Sequence, residues 1–506
     1  MAQTIDRDSL SFGDALFLYL ERDGMPLNVA SVSIFDGHIP PERCAAFVDA
    51  KLPLVPRYRQ RVVAPPLNIG LPYWDYDPAF DLRNHVREVK LRRGTEAEFK
   101  TVAAKILSAN MDRTRPLWDL TLVTGLAGNR TGMVLRLHHC LADGISGVGL
   151  LNVLMDTTPN AVDVPRKKRL RAPQPAAPPS LLDSLLTASF TAVQQVLSAH
   201  SELVTMGEHI AQLAKLPEPA AAARQEGAAT PPVASLDDLT RMSLGLASPV
   251  QRLPFNVVCR GPQKFNWAQI PLPDIKSVKQ LCGATVNDVA LTVVTAAVRR
   301  YCELHGVETK ARELRIVVPV SLHAGDDARR LGNRITFLPV TLPLGIRDLR
   351  KLIAVVHQAM EALKTTQVGS LVGFAGTLIG AIPAPVQALL GPIASQLPLS
   401  VCNLICTNVR GPAEPLYLLG HKMLACYPYV PIGGEMGMNC AILTYNDVAH
   451  FGFTADTHAA PDVHRFDKLL ARSFAELQKV FGIRRPRPAR PKPQPEAAHA
   501  VAAGAA

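Results

Sequence analysis

Between Arg166 and Val233 the sequence stops reading like the inside of a domain, and that interruption limits how the rest of the chain can fold. It opens with the basic cluster RKKRLR (Arg166 to Arg171), continues through APQPAAPPS and closes with LPEPAAAARQEGAATPPV. Segments so rich in alanine and proline lack the large apolar side chains a core needs and read as linkers. Between them lies LLDSLLTASFTAVQQVLSAHSELV, where Leu182, Leu185, Leu186, Phe190, Val193 and Leu197 recur near helical spacing. That periodicity predicts an amphipathic helix inside the connector. On either side the pattern is mixed: strand-like runs such as VASVSIF and MVLRL alternate with helical stretches up to about Asp156, and the same mixture resumes near Phe255. The expected organisation is a mixed α/β (α+β) domain over 1–156, a linker and helical connector over 157–250, and a second mixed domain over 251–482. A basic, proline-rich and disordered tail is expected over 483–506.

Composition narrows the function. A chain of 506 residues with 48% hydrophobic content can bury a substantial core. The net charge of +11 suits an acidic partner: nucleic acid, anionic lipid or a phosphorylated cofactor. The basic residues cluster in the linker and tail without interleaved aromatic residues, which argues against nucleic acid. Nine cysteines, an odd number scattered from Cys44 to Cys440 without a Cys-x-x-Cys pair, make a poor disulfide framework and a poor zinc site. A reducing cytoplasm is expected, and no metal. The start of the chain carries Asp6, Arg7 and Asp8 before any apolar run, so no signal peptide is read. From Thr365 to Val409 there is no charged residue, but Pro383, Pro385, Pro392 and Pro398 break the run. Buried or membrane-surface helices are expected there in place of a span.

The chemistry concentrates in MVLRLHHCLADGISGVGLL, from Met133 to Leu151. Alternation along MVLRL places His138 and His139 on opposite faces at the end of a strand, so they are badly placed to share a metal ion. Asp143-Gly144 then makes a turn and ISGVGLLNVLMD reads as the helix that follows. A histidine here can act as a general base, taking a proton from a hydroxyl and returning it to a leaving group. Cys140 also admits a covalent acyl-cysteine route, although no second base accompanies it.

The pattern His138-His139-x-x-x-Asp143-Gly144 resembles the HHxxxDG signature of acyltransferases related to chloramphenicol acetyltransferase and of nonribosomal-peptide condensation domains. More narrowly, the chain resembles the bacterial wax ester synthase/diacylglycerol acyltransferase family over most of its length. LSFGDALFLYLE, PYWDYDPAFDLRNHV, DRTRPLWDL, GATVNDVAL, LGNRITFLPVTLP and TNVRGP follow one another in the family's order. Asn28 stands where the family has histidine in Pro-Met-His-Val, and RRGTEAE replaces a Pro-Gly turn, differences expected at the pocket edges. The resemblance implies two chloramphenicol-acetyltransferase-like domains joined by a helical connector. It implies acyl-CoA as donor, a long-chain alcohol or diacylglycerol as acceptor, and no cofactor. It further implies His139 as general base with His138, Asp143 and Gly144 in support. Asn287 and Asp288 are expected as oxyanion or structural support, and Pro116, Leu117 and Trp118 as core residues that also line a substrate channel. Insoluble acceptors imply a membrane or lipid-droplet surface, met from the cytoplasmic side. A catalytically idle lipid-binding protein and a condensation-type transferase with a carrier-bound donor are the rival readings.

Overall fold

A computed structural model describes residues 8–141, 149–151, 153–160, 180–185, 189, 250–321, 335–365, 382, 384–394 and 402–483. In chain order the elements are α1 (Phe12–Leu20), β1 (Asn28–Asp36), α2 (Pro41–Lys51), β2 (Gln60–Val63), β3 (Tyr73–Tyr76), β4 (Val86–Lys90), α3 (Glu96–Leu107), β5 (Trp118–Leu126) and β6 (Arg130–His138). The later part supplies β7 (Gln263–Pro271), α4 (Leu272–Cys282), α5 (Val286–Leu304), β8 (Glu313–Ser321), β9 (Ile335–Pro343), α6 (Leu349–Thr365) and α7 (Ala384–Ala394). It ends with β10 (Leu404–Arg410), β11 (Tyr417–Leu418), β12 (His421–Tyr429), β13 (Met438–Tyr445), β14 (Val448–Asp456) and α8 (Phe466–Val480). The Asp143–Gly144 turn, the Gly332–Asn333 motif, both basic clusters and most of the connector lie outside these residues. Of the connector, residues 181–185 and 189 are helical.

Two six-stranded sheets carry the fold, in the orders β11-β12-β1-β6-β5-β4 and β7-β14-β13-β10-β8-β9. The mixed α/β expectation holds, but the sheets do not divide where the sequence suggests. Strands β11 and β12, inside the stretch expected as the second domain, belong to the first sheet. The reason is β1. Its nine residues would otherwise be an open sheet edge with unpaired backbone groups; β12 covers that edge, pairing Ala30 with Tyr429 and Val32 with Tyr427. A composition change cannot report a long-range pairing of this kind.

Local chemistry explains the individual elements. In β6, Met133, Leu135 and Leu137 face one core with Trp118, Leu120 and Leu122 of β5, the period-two pattern of a half-buried strand. The β13–β14 hairpin turns on Asn446 and Asp447, both at positive φ (47° and 56°), which asparagine and aspartate tolerate. RRGTEAE is a helix start: Thr95 caps α3, and the Glu98 carboxylate accepts from the backbone N–H groups of Arg92, Arg93 and Gly94 at 2.9, 2.7 and 3.0 Å. Gly94 is required there, because it has φ 67° and a Cβ would lie 2.6 Å from the Gly125 carbonyl. Helix α5 begins with a capping box between Thr285 and Asp288 and is buried along nearly its whole length in the second core.

The halves are joined by aromatic packing. Trp267 of β7 stacks on Tyr427 of β12 at 4.9 Å and donates its indole N–H to Glu96 of α3 at 2.9 Å. At the same junction His450 of β14 is fully buried beside Tyr427 and Tyr445. Burial pushes its imidazole down to about 4, so the folded protein holds it neutral while an unfolded chain protonates it near 6.5. The folded pKa is the lower one. Stability is therefore intact above about 6.5 and declines as pH falls towards 4, by about 3 kcal/mol for this one group. We expect Tm to fall across that window and the slope to be shallower in His450→Leu, measured by thermal unfolding at pH 7.5, 6 and 5; equal slopes would remove His450 from the explanation.

Candidate active site

Strand β6 ends where the chemistry begins. His138 is its last residue, directly opposite Asn28 of β1, and is fully buried. Its Nδ1 accepts the Cys140 backbone N–H at 3.2 Å, and its Nε2 lies 3.3 Å from a Glu21 carboxylate oxygen. His139 belongs to the turn that follows and is only partly buried. Its ring stacks on Phe17 of α1, with centroids 3.8 Å apart and planes 8° from parallel, and its backbone N–H donates to the Leu27 carbonyl at 2.9 Å. The two imidazoles thus occupy different environments, His138 as the last strand residue and His139 in the turn that follows. One is sealed against a carboxylate; the other lies flat on an aromatic face with part of its surface open.

Glu21, just after α1, links these parts. It accepts the Leu27 backbone N–H at 3.0 Å and the Arg113 guanidinium at 2.9 and 3.2 Å. Burial pushes its carboxyl up, but the bonds and charges of His138, Leu27 and Arg113 outweigh that and hold it at about 2. Cys140, next in the chain, is buried among Leu10, Ala15, Leu18 and Leu117. That burial pushes its thiol well above the usual range, so little thiolate is present to act as a nucleophile. Asn28, the residue that departs from the family's histidine, is fully buried, and its amide makes no hydrogen bond among the described residues.

Two residues below His138 on the same strand face, Arg136 forms a buried bidentate pair with Asp119, at 2.9 and 2.5 Å, and donates to the Ala109 carbonyl at 2.7 Å. This clamp fixes the end of β6 to the segment after α3. Pro116 and Trp118 line a cavity of about 180 Å³ over that pair. Leu117 does not; it points into the core with Cys140. Trp118 stacks on His85 at 4.7 Å, and the His85 ring bonds the Trp118 carbonyl at 2.7 Å, so the FDxxxHV and PLW motifs are one packed unit. A second cavity, of about 440 Å³, is lined by Leu18, Tyr19, Glu21, Val62, Arg113 and Ala388.

The Asn-Asp pair divides its labour. Asp288 accepts from the Thr285 N–H at 2.8 Å and from His357 of α6 at 2.7 Å, which makes it a helix cap and a tie between α5 and α6. Asn287 accepts from the Asn408 side chain of β10 at 3.1 Å, bringing GATVNDVAL and TNVRGP together. Sequence reasoning missed Phe17, Glu21, Arg113 and His85 as neighbours of the site. Phe17 and Glu21 stand in LSFGDALFLYLE and His85 in FDLRNHV, so the signal was their place inside motifs and not any chemistry of their own.

The Phe17 stack restricts the His139 ring, and aromatic pairs of this kind contribute about 0.5–1.5 kcal/mol. Phe17→Leu should therefore lower turnover about three- to tenfold if that restraint acts in the transition state. Initial-rate kinetics beside a Tm measurement would check this; unchanged turnover in the folded variant would leave the stack without a catalytic role.

The chain matches two family models in succession: the wax ester synthase/diacylglycerol acyltransferase catalytic domain over residues 10–290, and the C-terminal domain of the same family over 331–478. Among curated relatives, a chain named probable diacylglycerol O-acyltransferase from Mycobacterium tuberculosis is 27% identical over 462 residues, covering 90% of this chain and 92% of that one. Another of the same name and species is 26% identical over 487 residues, covering 94% and 100%. Among solved structures, the wax ester synthase/diacylglycerol acyltransferase from Marinobacter aquaeolei VT8 is similar with a TM-score of 0.63 and 22% identity, covering 94% of this chain and all of that one. The first condensation domain of the calcium-dependent antibiotic synthetase is similar at 0.56 and 17%, covering 94% and 97%. The two-domain fold implied by the sequence motifs is shared with both.

Proposed function

The chain belongs to the wax ester synthase/diacylglycerol acyltransferase family, and from that premise we propose that His139 is the general base of an O-acyl transfer from acyl-CoA to diacylglycerol or a long-chain alcohol. The observation that carries this is the contrast between the two histidines. His138 is sealed and committed to Glu21, whereas His139 keeps part of its surface open while its Nδ1 is buried. In this reading Nε2 is the nitrogen that meets the acceptor hydroxyl. The acceptor oxygen attacks the thioester carbonyl as its proton passes to Nε2; the C–S bond breaks, and the same proton goes to the CoA thiolate. Proton and electrons balance within donor, acceptor and imidazole, so the reaction asks for no further cofactor. Asn287 is our candidate to stabilise the oxyanion. Asp143 and Gly144 belong to the same reading as the residues that shape the loop after His139.

His139→Ala should lose at least about a hundredfold in turnover with Tm maintained, since a positioned base contributes on that scale. Cys140→Ala should stay within about threefold, because a buried, protonated thiol is a weak nucleophile. CoA release with hexadecanol or diacylglycerol as acceptor measures both. Near-normal activity in folded His139→Ala, or an acyl-thioester on Cys140 found by mass spectrometry, would replace this mechanism by the covalent one. No CoA release with any acceptor would favour the idle lipid-binding alternative.

The same reading places the enzyme at a lipid surface on the cytoplasmic side of the membrane or on lipid inclusions. No single described helix is long and apolar enough to cross a membrane. Helix α7 packs on α1, where Gly391 meets the Tyr19 carbonyl, and still exposes Leu389, Leu390 and Ile393. Leu67 adds a fourth apolar side chain, 75% exposed. Such residues can insert shallowly into an interface. Flotation with anionic vesicles should recover the protein, and Leu389→Ser with Ile393→Ser should reduce recovery several-fold. Retention under carbonate until detergent is added would show a deeper insertion, and no binding at any salt would remove the surface role.

A further inference from the structure

If His139 is the base, something must hold it and its neighbour still, and the hydrogen bonds converge on one carboxylate. Glu21 is 7% exposed. One of its oxygens faces His138 Nε2 at 3.3 Å and accepts the Leu27 N–H at 3.0 Å; the other accepts from Arg113. The Leu27 carbonyl accepts the His139 N–H at 2.9 Å. A single carboxylate therefore lies against the ring of the first histidine, 3.3 Å from Nε2, and through one residue, Leu27, holds the backbone of the second. On the far side of the His138 ring, Nδ1 accepts the Cys140 N–H at 3.2 Å. A ring nitrogen that accepts carries no proton, so the proton lies on Nε2 and faces the carboxylate.

We propose that Glu21 is a positioning residue of this reaction: it fixes His138 as the Nε2–H tautomer and, through it and Leu27, sets the turn that presents His139. The proposal rests on His139 as the base. Nothing in the motif pattern assigns Glu21 such a role. The other ionisable groups facing this corner are Asp14 and Tyr19 of α1, Arg113 before β5, Cys140 after His139, and the Asp119–Arg136 pair of β5 and β6. Arg113 bonds Glu21 directly and offsets its charge.

Glu21→Gln keeps the shape but cannot keep the bonds. Turned one way its amide N–H₂ meets Arg113, and turned the other it meets Leu27 N–H and His138 Nε2–H; donors collide in both. We expect kcat to fall at least about tenfold with KM for acyl-CoA within about threefold, since the chemistry and not donor binding is disturbed. The acid limb of kcat/KM should move to lower pH by about half a unit or more, because a negative charge that favours a protonated imidazole has gone. Arg113→Met, which removes the offsetting cation, should move the limb the other way. Glu21→Asp keeps the charge and should hold the limb near its wild-type position with turnover between the other two. If Glu21→Gln does not fold, a limb moved to higher pH in Arg113→Met beside an unmoved limb in Glu21→Asp decides the matter. An unmoved limb in Glu21→Gln and Arg113→Met, with activity falling only as the folded fraction falls, makes Glu21 a structural residue and overturns the proposal. His139→Ala separates the two levels: activity retained there sinks the base itself, whereas a dead His139→Ala beside unmoved limbs sinks only the role of Glu21.

Discussion

The pairing of β12 with β1 is the constraint from which the rest of this structure follows. Strand β1 carries Asn28 beside His138 and follows Leu27, the residue that holds the His139 backbone. Without β12 that strand would be a nine-residue edge, open to water and free to shift register. Because β12 comes from the last third of the chain, the site at the end of β6 cannot be complete until both halves have folded and met. Trp267 stacked on Tyr427, and Lys100 reaching Asn266 at 2.7 Å, add contacts across the same junction. Folding of the second sheet is thereby coupled to the geometry of a site built almost wholly from the first.

A second constraint is electrostatic. The end of β6 holds several polar groups at low exposure: His138, Glu21, Asn28, Asp119 and Arg136. Buried charges of this kind are expensive unless paired and fully hydrogen-bonded. Here they come in two clamps. Arg136 and Asp119 are bidentate, with a backbone carbonyl as third partner, and Glu21 is shared by Arg113, His138 and the Leu27 N–H. Each clamp fastens a different piece of chain to the strand that carries the histidines. The first secures the segment after α3, the second the end of α1.

Much of this was legible in the sequence, and the part that was not has a physical reason. Alternation in MVLRL placed the two histidines on opposite faces, and they do meet different surroundings. The mixed strand and helix pattern gave the fold class, because periodicity is a local property. The membership of β11 and β12 in the first sheet is a pairing between residues some four hundred positions apart, to which no window of sequence is sensitive. Glu21 was hidden for a similar reason: an acidic residue at the end of an apolar helix reads as a solvated cap until Arg113 and His138 are seen to surround it. Asn28 shows in the sequence only as a departure from the family's histidine, and its full burial opposite His138 follows from a ladder pairing that the motif comparison does not report. Pro116, Leu117 and Trp118 read together as core residues that also line a channel; Pro116 and Trp118 border a cavity, whereas Leu117, just before β5, packs into the core with Cys140.

The unequal burial of the two histidines also bears on how one pair of identical side chains can divide structural and chemical work. The His138 ring is fully buried, with Nδ1 accepting the Cys140 N–H and Nε2 lying 3.3 Å from the Glu21 carboxylate. Such a ring is shut off from a substrate hydroxyl, because none of its surface is open. His139 carries the opposite balance: stacking on Phe17 fixes its ring plane, part of its surface stays open, and its backbone is held by Leu27. A ring held on one face and partly open can reach a substrate; a fully enclosed ring cannot. The adjacency of the histidines is then useful in itself, since the rigid one anchors the backbone from which the reactive one is presented, one residue further along.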